Sequence, residues 1–290
     1  MDATHTQRST QRPINLGFSD QEQFRLIEVF ALWEGRVNST HLQNILRISR
    51  QKASDILAAY QRQHPDSLAY DASLKGFKPT ALFQPAFTRG HFDDYCQTLA
   101  RSGHPPYLSL AETGFSHLEA PLRNLSPALV QPIIRAMRDR LRLDIGYTSL
   151  TSPDYESRII APHCLVFDGI RWHVRAYCEK NRAYRDFVLS RFSGDYGFEG
   201  QASYSAAEDE RWNTWLELII QPDPRLSPAR RRILELDYQM TNGQRSLPVR
   251  AALLMYLLQR LRLDQYQTSP EAQQIIVEPE CMKRIAPYLP

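Results

Sequence analysis

The stretch Asp168 to Cys178, DGIRWHVRAYC, carries two chemistries on alternate residues. Successive side chains of a strand point to opposite faces, so His173, Arg175 and Tyr177 share one side and Trp172, Val174 and Ala176 the other. The first set can meet a phosphate by charge, a polar edge by hydrogen bond and a base by stacking, while the second can fill a core. A second polar group, Arg50, Gln51, Lys52 and Ser54, sits at the start of SRQKASDILAAYQRQH, where it could pair with base edges and phosphates. Lys75 and Lys78 follow in SLAYDASLKGFKPTALF as candidates for phosphate contact.

The elements that must hold these groups can be read from spacing. FSDQEQFRLIEVFALWEGR opens with a capping-box pair, Ser19 and Glu22, and continues with Phe24, Ile27 and Ala31 at helical intervals. NSTHLQNILRI predicts a shorter helix capped by Ser39, and Ser49 caps a third whose Ala53, Ile56, Leu57 and Tyr60 form one buried stripe. A short turn between the second and third helices is what a helix-turn-helix requires, and two short strands around a polar turn follow as a wing. HFDDYCQTLARSG then reads as a helix within a connector rich in Pro and Gly, and Ser126-Pro127 opens PALVQPIIRAMRDRL.

Beyond that helix the pattern is of strands: LRLDIGYTSL, SRIIAPHCLVFDG, IRWHVRAYC and YRDFVLSRF, separated by TSPDYE, Asp168-Gly169 and EKNRA. Connections this short exclude parallel crossovers, so a small antiparallel barrel or sheet is expected. The remainder predicts a small α+β module with strand-like RRILELDYQ, a helix from Pro248 to Arg262 and strand-like QQIIVEP. Trp212 and Trp215 in ERWNTWLELII read as packing at helical spacing. The fold class is multidomain α+β: a tail over 1–13, a winged helix-turn-helix over 14–85, a connector over 86–132, an antiparallel module over 133–200 and a C-terminal α+β module over 201–290.

Composition bounds the function. The chain has 290 residues, 42% hydrophobic and 23% charged, with net charge +3, which is ordinary for a folded globular protein. Residues 1–90 hold eleven Lys and Arg against eight Asp and Glu, and 133–192 hold eleven against seven, suggesting two separate anionic contacts. The apolar run AALLMYLL is too short for a bilayer, and the polar first residues do not read as a secretory signal, so no membrane association and a cytoplasmic location are expected. Cys96, Cys164, Cys178 and Cys281 lack zinc-finger or disulfide spacing. No cofactor is expected: Walker, dinucleotide and nucleophile-elbow motifs are missing from the sequence. His91, Asp93 and Asp94, the nearest approach to a nuclease metal site, read instead as a solvated helix start, so neither metal nor catalysis is expected.

Arg158 to Pro162 (RIIAP), DGIRW, RAY and FVLSRF together resemble the WYL-domain transcriptional regulators, with Trp172-His173-Val174 in place of the name-giving tripeptide. The Trp-His-Val-Arg-Ala-Tyr form is similar to the BrxR/CapW-like subset found beside phage-defence operons. That resemblance implies a winged helix-turn-helix, a central WYL barrel of Sm or SH3 type, and a C-terminal extension that helps build a homodimer. It also implies a nucleic-acid or nucleotide-like effector at the WYL module. Arg158 and Arg191 match basic family positions beside His173, Arg175 and Tyr177, with Tyr147, Ser149 and His163 as further candidates. The expected protein is a ligand-sensing repressor in which Arg50, Gln51 and Ser54 read bases of an inverted-repeat operator and Lys52, Lys75 and Lys78 meet phosphates. The alternatives are an accessory module that senses nucleic acid and controls a partner protein by contact, and a divergent nuclease.

Overall fold

The computed structural model describes residues 18–101, 123, 125–150, 153–154 and 156–289, in two compact units that divide at Leu118 and Glu119. In the first, α1 (Phe18–Glu34), α2 (Ser39–Leu46) and α3 (Arg50–Gln63) precede a hairpin of β1 (Leu68–Asp71) and β2 (Gly76–Pro79) and then α4 (Phe92–Arg101). Phe24, Ile27, Leu42, Ala53, Ile56, Leu57 and Tyr60 close one core, so the stripe expected on the third helix is the one that is buried. Asn38, not Ser39, caps α2, and its side chain and that of His41 satisfy each other's backbone N–H groups. Ser49 caps α3 as expected. Ser19 lies inside α1, where its hydroxyl accepts from Gln23.

The hairpin is tied to the helices through the backbone, since Val37 and Phe77 exchange two hydrogen bonds of 2.8 Å. This close approach explains Gly76, because a Cβ there would meet the Val37 carbonyl oxygen at 2.9 Å. Glu28 is fully buried and satisfied, accepting from the Tyr60 hydroxyl and from the backbone N–H of Ala86, Phe87 and Thr88. The chain leaving the hairpin is thereby fastened to α1.

The second unit begins with α5 (Pro127–Asp139), which runs through a buried Pro132. It packs on a five-stranded antiparallel sheet of β3 (Leu141–Tyr147), β4 (Glu156–Phe167), β5 (Trp172–Cys178), β6 (Ala183–Val188) and β7 (Phe192–Gln201), ordered β6-β5-β4-β3-β7. The four expected strands are present, and β7 is added after YRDFVLSRF. The expected closure into a barrel is corrected: no ladder joins β6 to β7 among the described residues, and the sheet is open. Val174 and Ala176 are fully buried under α5 as expected, but Trp172 is 43% exposed at the hairpin mouth, its ring 5.1 Å from that of Phe167.

The C-terminal module contains α6 (Glu210–Asn213), β8 (Trp215–Pro222), α7 (Pro228–Asp237), β9 (Arg245–Arg250), α8 (Leu254–Arg260), α9 (Pro270–Gln273), β10 (Ile275–Val277) and α10 (Pro279–Ile285). Its sheet is antiparallel in the order β10-β8-β9 over a core of Leu218, Ile220, Leu254, Leu258, Ile275 and Ile285. Three local expectations are corrected. RRILELDYQ is helical, because Ser227 caps it and Pro228 opens its first turn. Pro248 belongs to β9, and the helix begins at Leu254. Trp212 and Trp215 do not share a helix, yet both pack on Arg250, whose guanidinium lies 4.5 Å from each ring. No helix among the described residues is long and apolar enough to cross a membrane.

Candidate nucleic-acid interface and anion groove

On α3, Ala53, Ile56, Leu57 and Tyr60 face the core and so turn Arg50, Gln51, Lys52 and Ser54 outward, where all four are exposed. The Gln51 amide donates to Asp55 at 2.9 Å, and the Lys52 N–H is held by the Ser49 cap at 3.2 Å. The wing tip is rigidly built. Asp71 accepts from Ser73 and Leu74, Lys75 adopts a left-handed φ of 49°, and Arg36 donates to the Leu74 carbonyl at 3.0 Å. Lys78 pairs with Asp71 at 2.8 Å, and that bond, with those from Ser73 and Leu74, holds the Asp71 carboxyl far below its usual range. Lys75 therefore presents its charge more freely than Lys78. Arg36, absent from the candidates read from sequence, supports the wing from the α1–α2 connection.

In the second unit a cavity of about 490 Å³ lies against the groove face of β5 and β6. Strand residues Tyr147, His173, Arg175, Tyr184 and Arg185 line one side with Arg191, and Arg211, Met255, Tyr256 and Gln259 line the other. Of the residues expected to meet an effector, the structure brings together Tyr147, His173, Arg175 and Arg191. Ser149, Arg158, His163 and Tyr177 lie outside the lining. Arg158 binds Glu156 and Asn181, Tyr177 stacks on Tyr204 at 3.7 Å, and His163 packs between Tyr184 and Trp212 with its Nε2 3.0 Å from Asp209.

The groove floor is already paired. Arg175 is only 4% exposed and donates two hydrogen bonds to Asp209, at 2.7 and 2.9 Å, and one to Asp186 at 3.2 Å. Burial opposes its charge, but the two carboxylates outweigh that and hold its pKa above the ordinary value. Burial likewise opposes the Asp209 carboxylate, yet Arg175, the Trp212 N–H and His163 keep its pKa low. His173, 3% exposed, has Nε2 2.8 Å from Asp168 and Nδ1 3.3 Å from the Tyr256 hydroxyl. Tyr256 has its pKa raised first by burial and then by the charge of Asp186, whereas Tyr184 is pushed up to about 12 by burial and by Glu208 and Asp209.

The rim differs. Arg185 is exposed and Arg191 half-buried, and neither side chain has a partner among the described residues. Arg171 leans on Asp168 at 3.5 Å, and Arg211 donates to the Tyr288 carbonyl. Sequence reasoning missed Arg171, Arg185, Asp186, Arg211, Tyr256 and Gln259. One signal was available: the EKNRA turn sets the β5–β6 register, in which Arg175 stands opposite Asp186. Among the described residues no group of three or more His, Cys, Asp or Glu is placed to hold a metal ion.

Comparison with known proteins assigns three segments. Residues 19–101 match the BrxR transcriptional regulator winged helix-turn-helix domain, 128–194 the WYL domain, and 215–285 the BrxR transcriptional regulator C-terminal dimerization domain. The DNA-binding transcriptional repressor CapW of Pseudomonas aeruginosa is 33% identical over 270 residues, covering 90% of this chain and 89% of that protein. CapW of Escherichia coli (strain KTE188) is 33% identical over 276 residues with the same coverage, and that of Stenotrophomonas maltophilia 31% over 268, covering 90% of each.

Proposed function

This chain belongs to the BrxR/CapW family of WYL-domain DNA-binding transcriptional repressors, a family of regulators and not enzymes, and on that premise we propose how it works. It acts as a homodimer whose two winged helices bind half-sites of an inverted-repeat operator ahead of a phage-defence operon. Arg50, Gln51 and Ser54 meet base edges, while Lys52, Lys75 and Lys78 meet phosphates. A nucleic-acid or nucleotide-like effector enters the groove of the second unit, and repression is relieved because the effector binds the DNA-free arrangement more tightly.

The observation that carries the effector reading is the pair of guanidiniums, Arg185 and Arg191, that have no partner among the described residues and stand at the rim of a cavity of about 490 Å³. Arg175 and His173 have their polar groups engaged within the protein, so they shape the floor, and the rim arginines make the anion contact. Tyr147, Tyr184 and Tyr256 supply aromatic surface beside them.

A gel-shift titration of the full chain against DNA from upstream of its own operon tests the reading. A specific, salt-sensitive complex that short oligonucleotides dissociate is the expected result. Protein that binds oligonucleotides but no upstream duplex would instead make it an accessory module acting on a partner protein.

A further inference from the structure

Helix α7 is amphipathic in the unexpected direction. Leu234 is buried toward the module's own sheet, while Ile233 and Leu236, 64% and 80% exposed, are the most exposed large aliphatic residues of segment 215–285. Ala229 is exposed on the same face. The spacing 229, 233, 236 is that of a heptad seam: Ile233 takes an a position and Ala229 and Leu236 take d positions. Arg232 then occupies the flanking g position and Asp237 the flanking e position. Both are exposed, and neither side chain has a partner among the described residues, whereas neighbouring Arg230 is tied to Glu271.

We propose that α7 is the two-fold contact through which two copies of this chain associate, packed in parallel along the Ala229–Ile233–Leu236 seam. The inference rests on the homodimer reading above and on the match of residues 215–285 to a dimerization domain. Parallel pairing follows from the charges. A g residue of one helix reaches the e residue five positions further along its partner, so Arg232 meets Asp237 of the partner subunit, twice by symmetry. Antiparallel pairing would set g against g and e against e, placing arginine on arginine and aspartate on aspartate. An isoleucine at a with leucine at d is also the combination that favours two parallel strands. The helix is ten residues, about 15 Å long, and too short to associate as a free peptide. Here its ordering is supplied by the Ser227 cap, Pro228 and the burial of Leu234, so association need not supply it.

Sedimentation velocity on the full chain across nanomolar to micromolar concentration tests this. Leu236→Glu should raise the dimer dissociation constant about tenfold or more, with the melting curve nearly unchanged at concentrations where both proteins are monomeric, because the site is exposed in the single chain. Arg232→Asp and Asp237→Arg should each weaken the dimer about threefold or more, since each turns two attractive pairs into repulsive ones, and the double exchange should restore it to within about twofold. A wild-type dimer that Leu236→Glu leaves intact overturns this contact alone. Loss of the dimer in Leu236→Glu without rescue by the double exchange overturns the parallel self-pairing. A wild-type chain that stays monomeric throughout removes the homodimer reading itself, and this contact with it.

Discussion

The two surfaces proposed to meet nucleic acid are built on opposite plans. The first turn of α3 is a set of exposed side chains on a helix whose other face is the core, so burial of Ala53, Ile56, Leu57 and Tyr60 aims them, and Gln51 is further held by Asp55. The groove of the second unit is assembled from polar groups that are buried and already engaged within the protein, Arg175 with Asp209 and Asp186, and His173 with Asp168. Truncating an exposed reader removes a contact and little else. Truncating a member of the buried set leaves its partner charged and dry, which is far more costly. On the proposed reading the same residue types therefore serve ligand contact in one region and architecture in the other.

The most severe break should come at Asp209, where Arg175, His163 and the start of α6 converge. Asp209→Ala should destabilise the second unit by about 3–5 kcal/mol, because it leaves the buried Arg175 guanidinium with Asp186 alone and takes away the acceptor of His163 and the Trp212 N–H. Denaturation followed separately for the two units should show the first unchanged, and an equal loss in both would mean that the unit boundary is not a stability boundary. Next in size, Gln51→Ala should cost about 1–3 kcal/mol on the cognate operator and relax its sequence preference without altering stability. By contrast, Lys78→Ala should weaken cognate and scrambled duplexes alike and lower the salt slope by less than one, since Asp71 already holds that amine. Binding isotherms on both duplexes at several salt concentrations separate the two; a shared pattern of loss would end the division into base readers and phosphate contacts.

How much of this was legible follows from which interactions are local. The α3 stripe, the Ser49 cap and the hairpin could be read because each is fixed by spacing within a few residues. The alternation of β5 was equally readable, and Val174 and Ala176 are indeed in the core. Its consequence was not. Whether Arg175 is a free cation or a buried tie depends on Asp209, thirty-four residues away and on another element, and no local pattern announces that partner. Trp172 was misplaced for a related reason: it has the right parity for the core but stands at the strand's first position. In RRILELDYQ the alternation was misleading, whereas the preceding Ser227-Pro228 pair, the same signal that correctly opened α5 at Ser126-Pro127, would have given a helix.

A smaller effect sharpens the groove half of the comparison. Arg191→Ala should weaken binding of a fluorescein-labelled pentathymidylate by about 1–2 kcal/mol at low salt while leaving the melting curve within about 0.5 kcal/mol, because the side chain ties down no described residue. Anisotropy titrations measure the first and thermal denaturation the second. Destabilisation comparable to that of Asp209→Ala would move Arg191 from the rim's contacts to the floor's architecture.

The most gradual expected effect is a pH dependence that acts through His163, the partner of Asp209. His163 has its pKa lowered from the ordinary 6.5 chiefly by burial; Asp209 and Asp186 oppose that shift, and Arg175 adds to it. A histidine with a depressed pKa stays neutral in the folded unit while the unfolded chain takes up a proton, so its contribution is complete above about pH 6.5 and is lost as pH falls below it. Asp209, whose pKa is also low, loses its contribution only below its ordinary 3.8, well clear of that window. Between pH 7 and 5 the second unit should therefore lose stability at up to about 1.4 kcal/mol per pH unit, and His163→Gln, which can still donate to Asp209 but cannot titrate, should flatten that slope. Urea denaturation of both proteins at pH 7, 6 and 5 checks it. An unchanged slope in the variant would place the titrating group elsewhere and leave His163 as packing between Tyr184 and Trp212.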